Sequence, residues 1–502
     1  MQQNEEKHGH VQLRLPERAL PFEVTAECTL PDYRSEISRL LWVRPTILPP
    51  ERFIGGGKAE FSGKILFEIL YTGPDGALYG ADHEEGYSFT LPLEGAYAAD
   101  GIEVFAAPVA DAVISRVTGP RRLTMRCRLH AHVHGIAPKD LALQQRGLSE
   151  DAAPHLLCDA MDVGFAIGGG REELSLSDTL PCEENERIVC ARGTLLFPEL
   201  HAGTDEVRVG GEALITLLTC APEQSLPSVR ERRIPFECRI PLEGVRPHHN
   251  AAVSGTVGRI DLAEENGQIT LSPQLILCAE AQHEEPITVY RDAFLPGQCA
   301  EYRFEELAAW QAGCCCTRHF SVSTERSAEE LGIGEELEII DHACEVEISE
   351  KSMDGGKLVL GGKLQCHLLC RRGGEICTQD AVFPFRLAPG FGTENAFADC
   401  CVAACRIRTQ NGMLRADAEL QLLVRDTLPL PLRALREVNF TPCEKEPRAA
   451  IELYYPVAQQ TLWDVAKSYG VSPAALAEAN GLACDAPASA GSLAGKRFLL
   501  IP

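Results

Sequence analysis

Four groups of residues in this 502-residue chain have types and spacings that could do chemistry. Asp399-Cys400 suggests the thiol of a cysteine hydrolase, which needs a thiolate beside an imidazole. The string continues with Cys401-Val402, and no histidine follows His367, so that thiol has no downstream base. His130, His132 and His134 alternate along LHAHVHG and fall on one face of a strand. Two of them could hold zinc, but a straight strand spreads all three over roughly 13 Å, so an exposed polar face is expected. Cys314-Cys315-Cys316 could be a metal or crosslinking knot. Neighbours on a strand point to opposite faces, so packing is expected, with oxidative crosslinking as the alternative. Gly55-Gly56-Gly57-Lys58 has the composition of a phosphate loop, without its GxxxxGK[ST] spacing and ahead of a strand, where a hairpin turn is expected. No catalytic residue, metal ligand set or cofactor follows from these groups, and the chain is read as non-enzymatic.

The elements that carry these residues come from an internal repeat. Three 22-residue blocks, Trp42–Gly63, Cys190–Gly211 and Asp341–Gly362, align without a gap. Each holds a glutamate at one place (Glu51, Glu199, Glu350) and turn formers at another (Gly56-Gly57, Thr204-Asp205, Gly355-Gly356). Past the turn, side chains alternate with period two through Ala59–Ile69, Val207–Leu217 and Leu358–Leu368, the pattern of a long half-buried strand. The central glycine of each run, Gly63, Gly211 or Gly362, predicts a bend or a close backbone approach. Phe89, Phe236 and Phe385 mark a later strand in each copy. Short helices are expected at PDYRSEISRLL, PCEENERIV, GIGEELEII and AEYRFEELAAWQAG. The predicted fold is mainly β: three antiparallel sandwich- or barrel-like domains over 20–137, 171–290 and 317–438, with linkers at 138–170, 291–316 and 439–450, then a different unit over 451–502.

Composition narrows the function. The formal charge of −25 disfavours nucleic acid and anionic lipid as partners. No apolar run approaches the roughly 20 residues of a membrane helix. The polar start MQQNEEKHGHVQLRLPER lacks the apolar core of a secretory signal. The 21 cysteines are odd in number and form no CxxC. A cytoplasmic location is expected, with most of the cysteines as reduced, small core residues.

The last fifty residues read as strand, helix, helix, strand. Thr461 and Asp464 suit a capping box ahead of TLWDVAKSYG, Gly470 suits its left-handed end, and Ser472-Pro473 opens PAALAEA. YYPVAQQTLWDVAKSYGVSPAALAEANGL with the closing GKRFLLIP resembles a LysM module, which implies a βααβ fold and binding of N-acetylglucosamine polymers such as peptidoglycan. The resemblance implies a ligand surface on the two helix-flanking loops, at Gln459, Gln460, Thr461, Leu462, Asn480, Gly481 and Leu482. Gln459-Gln460 replaces the Gly-Asp usual in that family, which turns the reading toward a protein ligand, with Leu482 or Leu493 as an apolar anchor. Gln460 and Leu482 are expected outside the core. The three repeats followed by this module also resemble the SipL-type family of spore coat morphogenetic proteins. That resemblance implies a scaffold in the mother-cell cytoplasm at the forespore surface, docking a coat-basement ATPase through the LysM module. A glycan-binding envelope protein is the alternative.

Overall fold

The computed structural model describes residues 9–502 apart from 99, 150–151, 183–184, 222–226, 266, 332–336, 444–451, 458–459, 483–492 and 494–496. Copy one comprises β1 (His10–Arg14), β2 (Arg18–Thr29), β3 (Arg39–Ile47), β4 (Glu51–Gly55), β5 (Lys58–Thr72), β6 (Leu78–Pro92), β7 (Glu103–Gly119) and β8 (Arg122–Asp140). A three-residue strand, β9 (Gln144–Arg146), follows. Copy two comprises β10 (His155–Ser175), β11 (Asp178–Pro181), β12 (Arg187–Ala202), β13 (Glu206–Cys220), β14 (Ser228–Pro241), β15 (Asn250–Glu265) and β16 (Gln268–Phe294). Copy three comprises β17 (Gln298–Ser327), β18 (Glu338–Asp354), β19 (Lys357–Arg372), β20 (Glu375–Leu387), β21 (Phe397–Gln410) and β22 (Met413–Pro442).

Each copy is two sheets, three strand positions wide and antiparallel apart from the short β9 beside β22, packed face to face. In copy three the orders are β17-β22-β21 and β18-β19-β20. Copy two matches with β10 and β11 along β16, and copy one with β1 and β2 along β8 and with β3 and β4 along β5. The period-two runs lie on the central strands β5, β13 and β19. Ile65, Phe67 and Ile69, like Ala213, Ile215 and Leu217, are buried between the sheets. The turns are as expected: Gly56-Gly57 and Gly355-Gly356 take positive φ, and so does Asp205. Glu199 and Glu350 each follow a register shift, and Glu51 opens β4 after the break in its strand.

The repeat glycines are sites of close approach. A Cβ on Gly211 would stand 2.3 Å from the Leu196 carbonyl oxygen and 3.0 Å from the Phe236 ring. Gly362 has the same surroundings in Glu347 and Phe385. In each pair the aromatic residue is the glycine's cross-strand partner, so the ring lies over the gap left by the missing side chain. In copy one that ring is Tyr87, not Phe89, which pairs with Phe61.

Among the described residues none of the expected short helices forms. PDYRSEISRLL is irregular and then enters β3, NERIV enters β12, and GIGEELEII runs from residues outside the described set into β18. AEYRFEELAAWQAG lies inside the 30-residue strand β17, paired with β22 over nearly its whole length. Its Glu, Ala and Leu favour helix locally, but the continuous pairing with β22 fixes it as a strand, and tertiary context overrides propensity. The segments 138–170 and 291–316 are for the most part strand as well, since β10 and β17 are the opening strands of copies two and three.

These long strands interlock the copies. Val11 and Leu141, Val163, Phe165, Ile287 and Val289, and Leu307, Ala309, Leu432 and Ala434 form one apolar cluster fed by all three copies. Trp42, Leu70 and Leu78 meet Val189, Cys190 and Leu218 and then Leu369 in a second. Gln12 exchanges hydrogen bonds with the Ala166 backbone and accepts one from the Trp310 indole at its carbonyl. Most described cysteines are free thiols in or against the cores, and Cys299–Cys443 is a disulfide between the ends of β17 and β22.

Candidate functional site

The C-terminal module is built by local signals. Strands β23 (Glu452–Tyr454) and β24 (Leu499–Ile501) pair antiparallel around α1 (Leu462–Tyr469) and α2 (Pro473–Ala479). Thr461 Oγ1 accepts from the Asp464 backbone N–H at 3.1 Å, and Asp464 Oδ2 accepts from the Thr461 N–H at 2.9 Å, completing the capping box. Gly470 ends α1 in the left-handed region, and Ser472 caps α2 ahead of Pro473. Leu462, Trp463, Val465, Ala466, Leu476, Ala477, Leu499 and Ile501 form the core, joined by Leu493.

Each expected binding residue among the described ones has a task in the fold. Gln460 Oε1 accepts from the Tyr454 hydroxyl at 2.6 Å and from the Val457 N–H at 3.0 Å, so it braces the first loop. Thr461 is the cap, and Leu462 is buried. The Asn480 amide donates to the carbonyls of Leu476 and Leu500 and accepts from the Leu500 N–H, tying α2 to β24. Gly481 takes positive φ, and Leu482 packs partly buried on the core with its N–H on the Ala477 carbonyl. Leu482 therefore packs on the core, contrary to the expectation that it stands outside it, while Gln460 lies outside the core and braces the loop: a fifty-residue unit has few side chains to spare for loop closure. Gln459 and most of the second loop, 483–492, lie outside the described residues.

The module is docked through α1 onto copies two and three. The Trp463 indole N–H donates to Asp292 Oδ2 at 2.8 Å, and Lys467 Nζ lies 2.7 Å from both oxygens of that carboxylate. Phe294 meets the Trp463 ring edge-on at 4.9 Å, and Lys467 sits 4.6 Å over the Tyr302 ring. Sequence reading placed Trp463 in the module's own core and missed Asp292. The signal was the indole N–H, which needs an acceptor when buried. The module's outer sheet face is open: Leu453, Tyr455, Val457, Phe498 and Leu500 are all exposed, Val457 by 66%.

The other sequence candidates resolve on geometry. His130 Nε2 lies 2.9 Å from His132 Nε2, with Asp111 on its Nδ1 at 2.6 Å, while His134 turns away to stack on Phe105. Burial holds the His134 imidazole well below its ordinary range. Cys315 is buried, and Cys314 and Cys316 share a hydrogen bond on one face. Gly55–Lys58 closes the β4–β5 hairpin. A cavity of about 610 Å³ is lined by all three copies, with Arg44, Asp82, Arg192, Arg259, Asp341 and His342 on its walls. Among the described residues one group has metal-ligand spacing, His342, Cys344 and Cys405, on the wall of that cavity.

No helix of the described residues is long and apolar enough to cross a membrane. No curated protein and no solved structure matches the chain. Residues 458–492 match the LysM domain family, and with the strand–helix–helix–strand fold around them the chain carries a C-terminal LysM domain.

Proposed function

We propose that this chain is a non-enzymatic assembly protein in which an interlocked body of three β-sandwich copies presents a LysM domain for partner capture. The observation that carries the reading is the dock. Asp292 and Phe294 fix one side of the module, through α1, and leave the opposite sheet face open with its apolar side chains. Aromatic and aliphatic groups held on a fixed frame suit capture of a protein partner by an apolar anchor. The repeat-plus-LysM order supports a SipL-type role, with a coat morphogenetic ATPase as that partner at the forespore surface. A second reading, binding of peptidoglycan or its precursor, is favoured by the LysM match itself, and Tyr455 and Phe498 would also suit the apolar face of a sugar ring.

One variant separates these readings. Tyr455→Ser with Phe498→Ser removes exposed rings and leaves the core intact. Pull-downs from sporulating cells and sedimentation with purified peptidoglycan are compared for the parent and variant chains. The assembly reading expects a named protein retained by the parent and reduced at least about tenfold in the variant. Strong co-sedimentation with peptidoglycan, lost in the variant and without protein retention, replaces it by the glycan reading.

A further inference from the structure

The three copies can be compared position by position, and at four matched positions copy three departs from the others together. The ungapped blocks and the strand registers match His342 with Val43 and Ala191, and Cys344 with Pro45 and Gly193. The cross-strand partner of the second position is Cys366 in copy three, Phe67 in copy one and Ile215 in copy two. In the facing sheet, the residue opposite the sixth position past the hairpin is Cys405, against Val113 and Ile260. Copies one and two thus fill these places with apolar side chains or glycine, and copy three fills all four with the residue types that bind soft metal ions.

The four groups converge in space. A ring nitrogen of His342 and the sulfurs of Cys344 and Cys405 lie within 4.8 Å of one another. The Cys344 and Cys366 sulfurs are 2.9 Å apart, and the Cys405 thiol shares hydrogen bonds with both. His342 Nε2 lies 2.9 Å from the Cys405 carbonyl oxygen. Donation there fixes the ring and its tautomer, the outer hydrogen bond by which ligating histidines are held. Cys366 closes the inner side at 1% exposure, while the other three residues border the three-copy cavity, which gives an ion a path from solvent.

We propose that His342, Cys344, Cys366 and Cys405 form a tetrahedral Cys3His site for one divalent ion of the zinc class. Three thiols lose their protons to solvent as three metal–sulfur bonds form, and the imidazole adds the fourth bond. The resulting centre carries one net negative charge, and the Arg192 guanidinium from copy two donates to the His342 carbonyl beside it. The ion would tie the β18–β19 sheet to β21 next to the seam between copies two and three.

The test uses the full chain, purified under reducing conditions and reconstituted with zinc chloride. Elemental analysis is expected to find about one zinc per chain. Cobalt substitution of the parent is expected to give tetrahedral d–d bands with a thiolate charge-transfer band. The variant H342A/C344G/C366I/C405I gives copy three the residues of copy two, and is expected to keep the β-sheet circular dichroism spectrum while holding less than about a tenth of an ion. Cys401→Ser, at an exposed cysteine of β21, is expected to retain the metal. The proposal is overturned if the reconstituted parent holds no zinc and gives no cobalt–thiolate band, if the fourfold variant keeps its metal, or if peptide mapping without reductant finds Cys344 and Cys366 joined as a disulfide.

Discussion

The three β-sandwich copies and the LysM domain are attached to the molecule in different ways. Among the described residues the copies share three apolar clusters and are tied by ion pairs, the most buried of them Arg192–Asp341. Arg192 of copy two donates to Asp341 of copy three, whose side chain is only 2% exposed, and to the His342 carbonyl. The LysM domain keeps a core of its own residues, to which, among the described residues, the copies add Phe294 and Leu157, and α1 carries the dock through Trp463 and Lys467. A sequence repeat therefore does not mark a separable unit here, because each copy completes its neighbours. The unit that breaks the repeat is the one held on as a module.

Breaking the copy–copy seam has the largest expected effect. Arg192→Ala leaves Asp341 buried without its cation, at a cost of about 3–5 kcal/mol. Urea unfolding of the body should show that loss, and the double variant R192A/D341A should recover part of it. A loss below about 1 kcal/mol would mean that the apolar clusters alone hold the copies together.

Breaking the module's attachment should cost less and stay local. Asp292→Ala strands the Trp463 indole N–H and removes the only carboxylate hydrogen-bonded to Lys467 among the described residues. Each stranded polar group costs about 1–3 kcal/mol. Hydrogen exchange is expected to quicken in α1 and leave the amides of β5, β13 and β19 unchanged. If the β-body amides quicken too, the module is part of the interlock and the contrast fails. Thr461→Ala is smaller still, about 1 kcal/mol, because it removes the hydroxyl that caps the Asp464 N–H and leaves the backbone donor to Asp464 in place. Its effect should appear in the thermal transition of the module alone.

What could be read from the sequence follows the same division. The capping box at Thr461 and Asp464, the Gly470 stop and the Ser472-Pro473 start all lie within a turn or two of the groups they satisfy, so spacing alone exposes them. The alternation from Ala59 to Ile69 is equally local, and so are the hairpins at Gly56-Gly57 and Gly355-Gly356. The β17 strand was not legible, because its Glu-, Ala- and Leu-rich stretch is set by a partner more than a hundred residues away in β22. Phe89 aligns with Phe236 and Phe385 as a strand marker, yet the ring over the repeat glycine in copy one is Tyr87, two residues away on the same face. Asp292 could be found only through pairing that sets β16 beside the module. His342, Cys344, Cys366 and Cys405 left a weaker trace. The blocks and the alternating runs past their turns already aligned the first three with apolar residues and a glycine of the other copies, but the fourth depends on the register of the second sheet.

The smallest expected effect separates body from module by pH. Asp82 faces the three-copy cavity and keeps surface open to it, yet protein surrounds it on most sides. Burial, and then the charge of Glu68, raise its carboxyl from 3.8 to about 6. The folded state thus favours the protonated form more than the unfolded chain does. Below an ordinary carboxyl pKa both states are protonated and Asp82 carries no penalty. As pH rises from about 4 through about 6, the folded chain holds more protons than the unfolded one, so stability falls across that window. Asp82→Asn abolishes this fall. The variant should match the parent near pH 3.5 and exceed it at pH 7, by less than about 1 kcal/mol because solvent in the cavity screens the charge. Denaturant titrations at the two pH values check the sign. The module's own transition should not move, since no residue of it lines that cavity. A shift of both transitions together would show that dock and seam respond as one structure.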